Sequence, residues 1–180
     1  MRLLIGLLVT MGLFFGCNGN SKSSTETIKA TQVMDATAFD SATGAVTSDT
    51  DIKAGKTGVV MNIPSGTVLQ DENGNPITKA PTTDVKVEKD SKKATTTLDF
   101  TVDGKRVIPT EPIVISVPAP KGAKAGDEVE IKVPDDGSIQ EKLIIVIVKS
   151  DGTVDIRVFP KAFKKIIVII VMIKTDKSTN

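Results

Sequence analysis

Three groups of side chains in this 180-residue chain have types and spacings suited to chemistry. The first is a set of close carboxylates: Asp127, Glu128 and Glu130 fall together, and Asp135 and Asp136 are adjacent. Two carboxylates suffice for general acid–base hydrolysis of a glycoside if a desolvated cleft drives their pKa values apart. Solvated strand faces and turns are the plainer reading of such residues. The second group is the stretch DENGNP, in which Asp71, Asn73 and Asn75 have the alternate spacing of oxygen ligands in a calcium loop. That pattern next requires Gly and, later, Glu, where this chain has Pro76 and Thr82, so an Asx-rich turn is expected and the three residues are only weak metal candidates. Asp49 and Asp51, or Asp135 and Asp136, are acids that other loops would have to bring to the same point. The third is one thiol, Cys17, the single cysteine of the chain.

What is absent excludes more than this. There is no His, Trp or Tyr. Without imidazole there is no Ser-His or Cys-His nucleophile pair and no histidine zinc site. Past the leader, only Phe39, Phe100, Phe159 and Phe163 offer rings on which a sugar or an unpaired base could stack. The chain is therefore expected to be no enzyme, to need no cofactor and to bind no nucleic acid.

The setting of Cys17 gives it a different chemistry. Arg2 is followed by an unbroken run, residues 3–15, of apolar residues, Gly and one Thr, and then by Gly16-Cys17. That is the anatomy of a secretory leader. As a helix the run covers about 20 Å against a bilayer core of about 30 Å, too short for a comfortable span. Leu13-Phe14-Phe15-Gly16-Cys17 resembles the lipobox of bacterial lipoproteins. The resemblance implies cleavage before Cys17, a diacylglycerol on its thiol and usually an acylated amino group, with two or three chains giving stable anchoring where one is marginal. An ordinary leader with an incidental cysteine, or an uncleaved anchor, are the alternatives. Asn18 stands where some lipoprotein families carry the Asp that retains them in the inner membrane, which makes the outer membrane the expected destination, its side unspecified.

Removing residues 1–16 takes away Arg2 alone and leaves 22 charges of each sign. Such balance gives no overall electrostatic footprint for nucleic acid or anionic lipid. With no cysteine after Cys17, packing alone must hold the fold.

The elements that must position these residues read as strands. Residues 17–32 are polar and small, a flexible tether. Residues 33–56 are poorly readable, with scattered apolar positions that fit one or two short strands. From residue 57 to residue 180 the pattern is that of a β-domain. Thr57-Gly58-Val59-Val60-Met61-Asn62-Ile63 precedes a Pro64-Ser65-Gly66 turn; Val85 and Val87, then Leu98, Phe100 and Val102, then Ile113, Ile115 and Val117, then Val129, Ile131 and Val133 alternate with polar residues. Half-buried strands spaced by turn signals argue for an all-β, antiparallel sandwich. Ile63-Pro64-Ser65-Gly66-Thr67, the DENGNP turn, the Val85–Val87 alternation and the later Pro112-Ile113-Val114-Ile115-Ser116-Val117-Pro118 strand resemble immunoglobulin-like or ZU5-like β-domains of bacterial surface and periplasmic lipoproteins. This implies an immunoglobulin-like sandwich with a structural or interaction role and transfers no catalytic residues.

Two C-terminal stretches, LIIVIV (143–148) and IIVIIVMI (166–173), are apolar at every position and are expected to be central strands. Asp151-Gly152 reads as a hairpin turn, which sets Val148 opposite Asp155, Val146 opposite Arg157 and Ile144 opposite Phe159. Ile145 and Ile147 then face the core, while Ile144, Val146 and Val148 share the outer face. These three form a candidate interaction face, covered by residues 33–56, by a partner or second copy, or by the membrane. Lys164, Lys165 and Lys174 flank the last apolar stretch as gatekeepers. The functional expectation is an exported, lipid-anchored structural or protein-interaction module of the cell envelope; the alternatives are a calcium-dependent adhesion module and a carboxylate-only glycoside hydrolase.

Overall fold

The computed structural model describes residues 24–132, 144–160 and 166–173. Cys17 and the leader, Asp135 and Asp136, and Lys164, Lys165 and Lys174 lie outside the described residues. In chain order the strands are β1 (Glu26–Val33), β2 (Phe39–Asp40), β3 (Ala45–Val46), β4 (Thr50–Lys53), β5 (Val60–Ile63), β6 (Leu69–Gln70), β7 (Thr82–Lys89) and β8 (Lys93–Val102). They continue as β9 (Lys105–Arg106), β10 (Ile108–Pro109), β11 (Ile113–Pro118), β12 (Glu128–Lys132), β13 (Ile144–Ile147), β14 (Thr153–Val158) and β15 (Ile166–Met172). Two 3-10 turns, Ala36–Ala38 and Gly55–Thr57, stand between strands.

All ladders are antiparallel, and the fold is an all-β sandwich. The larger sheet runs β1-β7-β8-β15-β12-β13, with β9 paired to β8; the smaller runs β14-β11-β5-β4. Alternation decides which side of each strand is inside. Val85, Val87, Ala94, Leu98, Phe100, Val129, Ile131, Ile166, Val168 and Ile170 of the large sheet meet Ile52, Met61, Ile63, Ile113, Ile115, Val117, Val154, Ile156 and Val158 of the small one in a single buried core. The β8–β9 turn uses Asp103 (φ 49°) and Gly104 (φ 75°), two consecutive left-handed residues that match the twist of a tight hairpin.

Two segments carry more structure than the sequence reading gave them. Residues 26–32, expected to be tether, form most of β1, an edge strand paired with all of β7 from Glu26↔Lys89 to Val33↔Thr82. Its polar composition suits an edge with one open face, which is why it reads as linker from sequence. The segment 33–56 holds β2, β3 and β4 and sends Met34, Phe39, Val46, Ile52 and Ala54 into the core.

The third difference changes the candidate face. The turn at Asp151-Gly152 is present: Lys149 N–H donates to Thr153 O (2.8 Å) and Gly152 N–H to Lys149 O (3.0 Å). The strands on either side then separate into different sheets. β13 pairs with β12 (Val129↔Val146, Glu130↔Ile145), whereas β14 pairs with β11 (Ile115↔Ile156, Val117↔Val154). The expected pairings of Val148 with Asp155 and Val146 with Arg157 do not form. Val146 stands opposite the apolar Val129 of β12 while Ile145 and Ile147 stand opposite Glu130 and Glu128, and the alternating TVDIRV of β14 matches the alternation of β11. β13 is also the terminal strand of the described sheet order, not a central one, whereas β15 is central, between β8 and β12.

Candidate functional site

Because β13 joins β12, its facing is the reverse of the expectation. Val148 is buried (2% exposed) and Val146 packs half-buried against the core, while Ile145 and Ile147 are 58% and 63% exposed. Val146 and Val148 therefore leave the candidate interaction face. Ile144 pairs with Ile131 through the backbone. The outer face instead carries Ile145 and Ile147, bordered by Glu130 and Glu128, and further in by the half-buried Val171, Ile169 and Ile167 of β15. Residues 33–56 do not cover it, since they close the β5 edge and the far end of the sandwich. The signal available in the sequence was the alternation of Val129 and Ile131: an apolar-in strand preceding β13 selects the β13 residues that face inward.

The carboxylate groups are placed as follows. Asp127 caps its own loop, accepting from the Lys124 N–H at 2.8 Å. Glu128 is exposed, and Glu130 is 3.5 Å from Lys132 on the open face of β12. A shallow depression of about 470 Å³ is lined by Gly126, Asp127, Glu128, Met172 and Ile173. It does not enclose either acid, so it lacks the desolvated cleft that would separate two carboxyl pKa values.

In the DENGNP turn, Asp71 is spent on the loop itself. Its Oδ1 accepts from the Asn73 and Asn75 N–H groups, both at 2.9 Å, and its Oδ2 from the Asn75 side-chain amide at 3.2 Å. These bonds, the Asn75 N–H foremost, hold its carboxyl below the usual range despite some desolvation. Asn73 and Asn75 thus bond to Asp71 and do not converge with it on a common point. Asp49, just before β4, accepts from Ser65 N–H, and Asp51, within β4, accepts from the side-chain amide of Asn62 on β5. Among the described residues no three His, Cys, Asp or Glu side chains gather as a metal ion would need.

A groove of about 550 Å³ lies at the seam where β1 of one sheet meets β4 of the other, lined by Gln32, Val33, Met34, Asp35, Thr50, Asp51, Ile52 and Lys53. Sequence reading had no means of finding it, because its walls come from the segments read as tether and as unassigned. Asp35 there caps the first 3-10 turn through the Thr37 N–H and hydroxyl, both at 2.8 Å, and Asp51 is held by Asn62. Both acids of the groove serve the fold.

No protein-family model, curated protein or solved structure matches this chain. The reading of its function rests on its own residues.

Proposed function

We propose that this chain is an exported lipoprotein, acylated at Cys17, whose sandwich is of the immunoglobulin-like kind and serves as a structural or protein-interaction module of the cell envelope. The leader ending in Gly16-Cys17 supports the anchor. The observation that carries the interaction role is the pair Ile145 and Ile147, more than half exposed on a terminal strand of the larger sheet. Among the described residues β13 has a ladder partner on one side only, β12. An apolar outer face beside an open backbone edge is the arrangement by which one strand accepts another, main-chain bonds giving affinity and alternate side chains specificity. Such a module needs no titratable machinery, in keeping with a chain that has no His.

Two measurements test the two halves. Labelled palmitate is expected to enter the wild type and not Cys17→Ser; equal labelling removes the anchor. Ile147→Lys is expected to leave unfolding within about 0.5 kcal/mol of wild type, as surface substitutions do, while abolishing an association seen by light scattering or pull-down. Association unchanged by that charge sinks the interaction face.

A further inference from the structure

We infer that one end of the sandwich, formed by the β4–β5, β7–β8, β11–β12 and β13–β14 connections, is the face that meets the membrane, its lysines contacting anionic lipid headgroups. The inference rests on the proposed acylation of Cys17 and adds to it an orientation and a lipid class. These four connections lie together. Lys121 N–H donates to Asp90 O (2.8 Å), Ala119 N–H to Gly152 O (3.0 Å) and Gly126 N–H to Val148 O (2.9 Å), and Gly58 sits beside Pro118. The chain enters here: Glu26, the first residue of β1, pairs with Lys89 and is 3.0 Å from the Lys121 ammonium. From Cys17 to Glu26 the chain can reach at most about 30 Å when extended. That is about the length of β8 itself at ~3.4 Å per residue, so an anchor at Cys17 keeps this end within about one strand length of the bilayer.

Charge is sorted the same way. The four connections carry Lys56, Lys92, Lys121, Lys124 and Lys149 against Asp90, Asp127 and Asp151. Strand ends beside them add Lys53, Lys89 and Lys93 against Glu26 and Glu128. The three aspartates are turned into their own loops: Asp90 accepts from the Lys92 and Lys93 N–H groups, Asp127 from Lys124 N–H and Asp151 from Thr153 N–H. Lys56, Lys92, Lys121 and Lys124 are exposed. At the opposite end, Asp35, Asp40, Asp49, Asp71, Glu72, Asp103 and Glu111 outnumber Lys79, Lys105 and Arg106 among the described residues. Among the described residues charge is thereby sorted along the sandwich, with the cationic end where β1 begins. Basic groups held within a Debye length of an anionic leaflet are attracted to it, and acidic groups a strand length away are screened.

The test uses the full acylated chain in vesicles of phosphatidylcholine alone or of equal phosphatidylcholine and phosphatidylglycerol. An acylated Cys17 has no free thiol, so a fluorophore can be placed at Lys124→Cys or, at the opposite end, at Glu72→Cys, and its quenching by a headgroup nitroxide lipid read. Position 124 is expected to be quenched about twofold more in the anionic vesicles. The excess is expected to vanish in about 1 M salt, where the Debye length is about 3 Å, and in the Lys56→Glu, Lys92→Glu background. Position 72 is expected to stay unquenched in both. Chain bound to both vesicle types with positions 124 and 72 quenched alike, or with no dependence on lipid charge, overturns the docking and leaves the anchor standing. Chain bound to neither overturns the anchor and the docking together.

Discussion

At the scale of single residues, the polar chemistry of this chain is used for turning it. Asp35, Asp71, Asp90 and Asp151 each accept backbone N–H groups two to four residues on, the Asx geometry that fixes a tight loop. Residues that could have been metal ligands or acid catalysts are thereby committed to local structure. Gly122 shows how closely two of these loops approach: a Cβ there would sit 2.4 Å from the Ser91 carbonyl oxygen, backbone that has little room to move. Gly122→Ala is expected to force the 119–127 loop off the β7–β8 turn and to lower stability by about 1–3 kcal/mol, the range for overpacking. A urea titration reads this as a lower midpoint with unchanged slope; an unchanged midpoint would mean that the loops separate at no cost.

At the scale of elements, the decisive event is the parting of β13 and β14 after a turn that by itself looks like a hairpin. The turn residues Asp151-Gly152 were legible, and so was each strand. The ladder partners were not, because pairing is won by whichever neighbour offers the better face. β14 takes β11, whose inward Ile113, Ile115 and Val117 match its own Val158, Ile156 and Val154, and whose outward Ser116 donates to Asp155. β13 takes β12, and this single choice moves Ile145, Val146 and Ile147 to the opposite face from the one a hairpin dictates. The consequence is measurable. Val148→Lys, which puts an unpaired charge into the core, is expected to cost more than about 3 kcal/mol, whereas the same charge at Ile145 is expected to stay within about 0.5 kcal/mol. Thermal unfolding of the two variants distinguishes the observed register from the hairpin register, which demands the reverse order.

At the scale of the whole molecule, stability and charge both follow from how ends and layers are assembled. Desolvation raises the Asp155 carboxyl, but hydrogen bonds from Lys149 and Ser116 outweigh it and hold it below its ordinary value; Asp90 is lowered by the Lys92 and Lys93 N–H groups, and Asp71 by its loop. A carboxyl lowered in the folded state adds stability that is complete above the unfolded value of about 3.9 and is lost as pH falls through the folded one. With no His in the chain, no side chain with an ordinary pKa between about 5 and 8 changes charge. The melting temperature is therefore expected to be flat from about pH 6 to pH 8 and to drop steeply below about pH 4; a maximum within the flat interval would contradict this. Composition, alternation and turn residues were enough to determine an antiparallel all-β sandwich, because side-chain period and turn chemistry are local. Local pattern also placed Ile166, Val168 and Ile170 in a central strand. It failed for β1, whose open-faced edge has the composition of a linker, and for Ile145 and Ile147, whose exposure depends on the partner strand. Only the tertiary structure decided the facing of β13, the seam between β1 and β4, and, among the described residues, the excess of lysines at one end of the sandwich and of carboxylates at the other. Each of these depends on which distant segments become neighbours, and neither residue counts nor spacing along the chain contain that information.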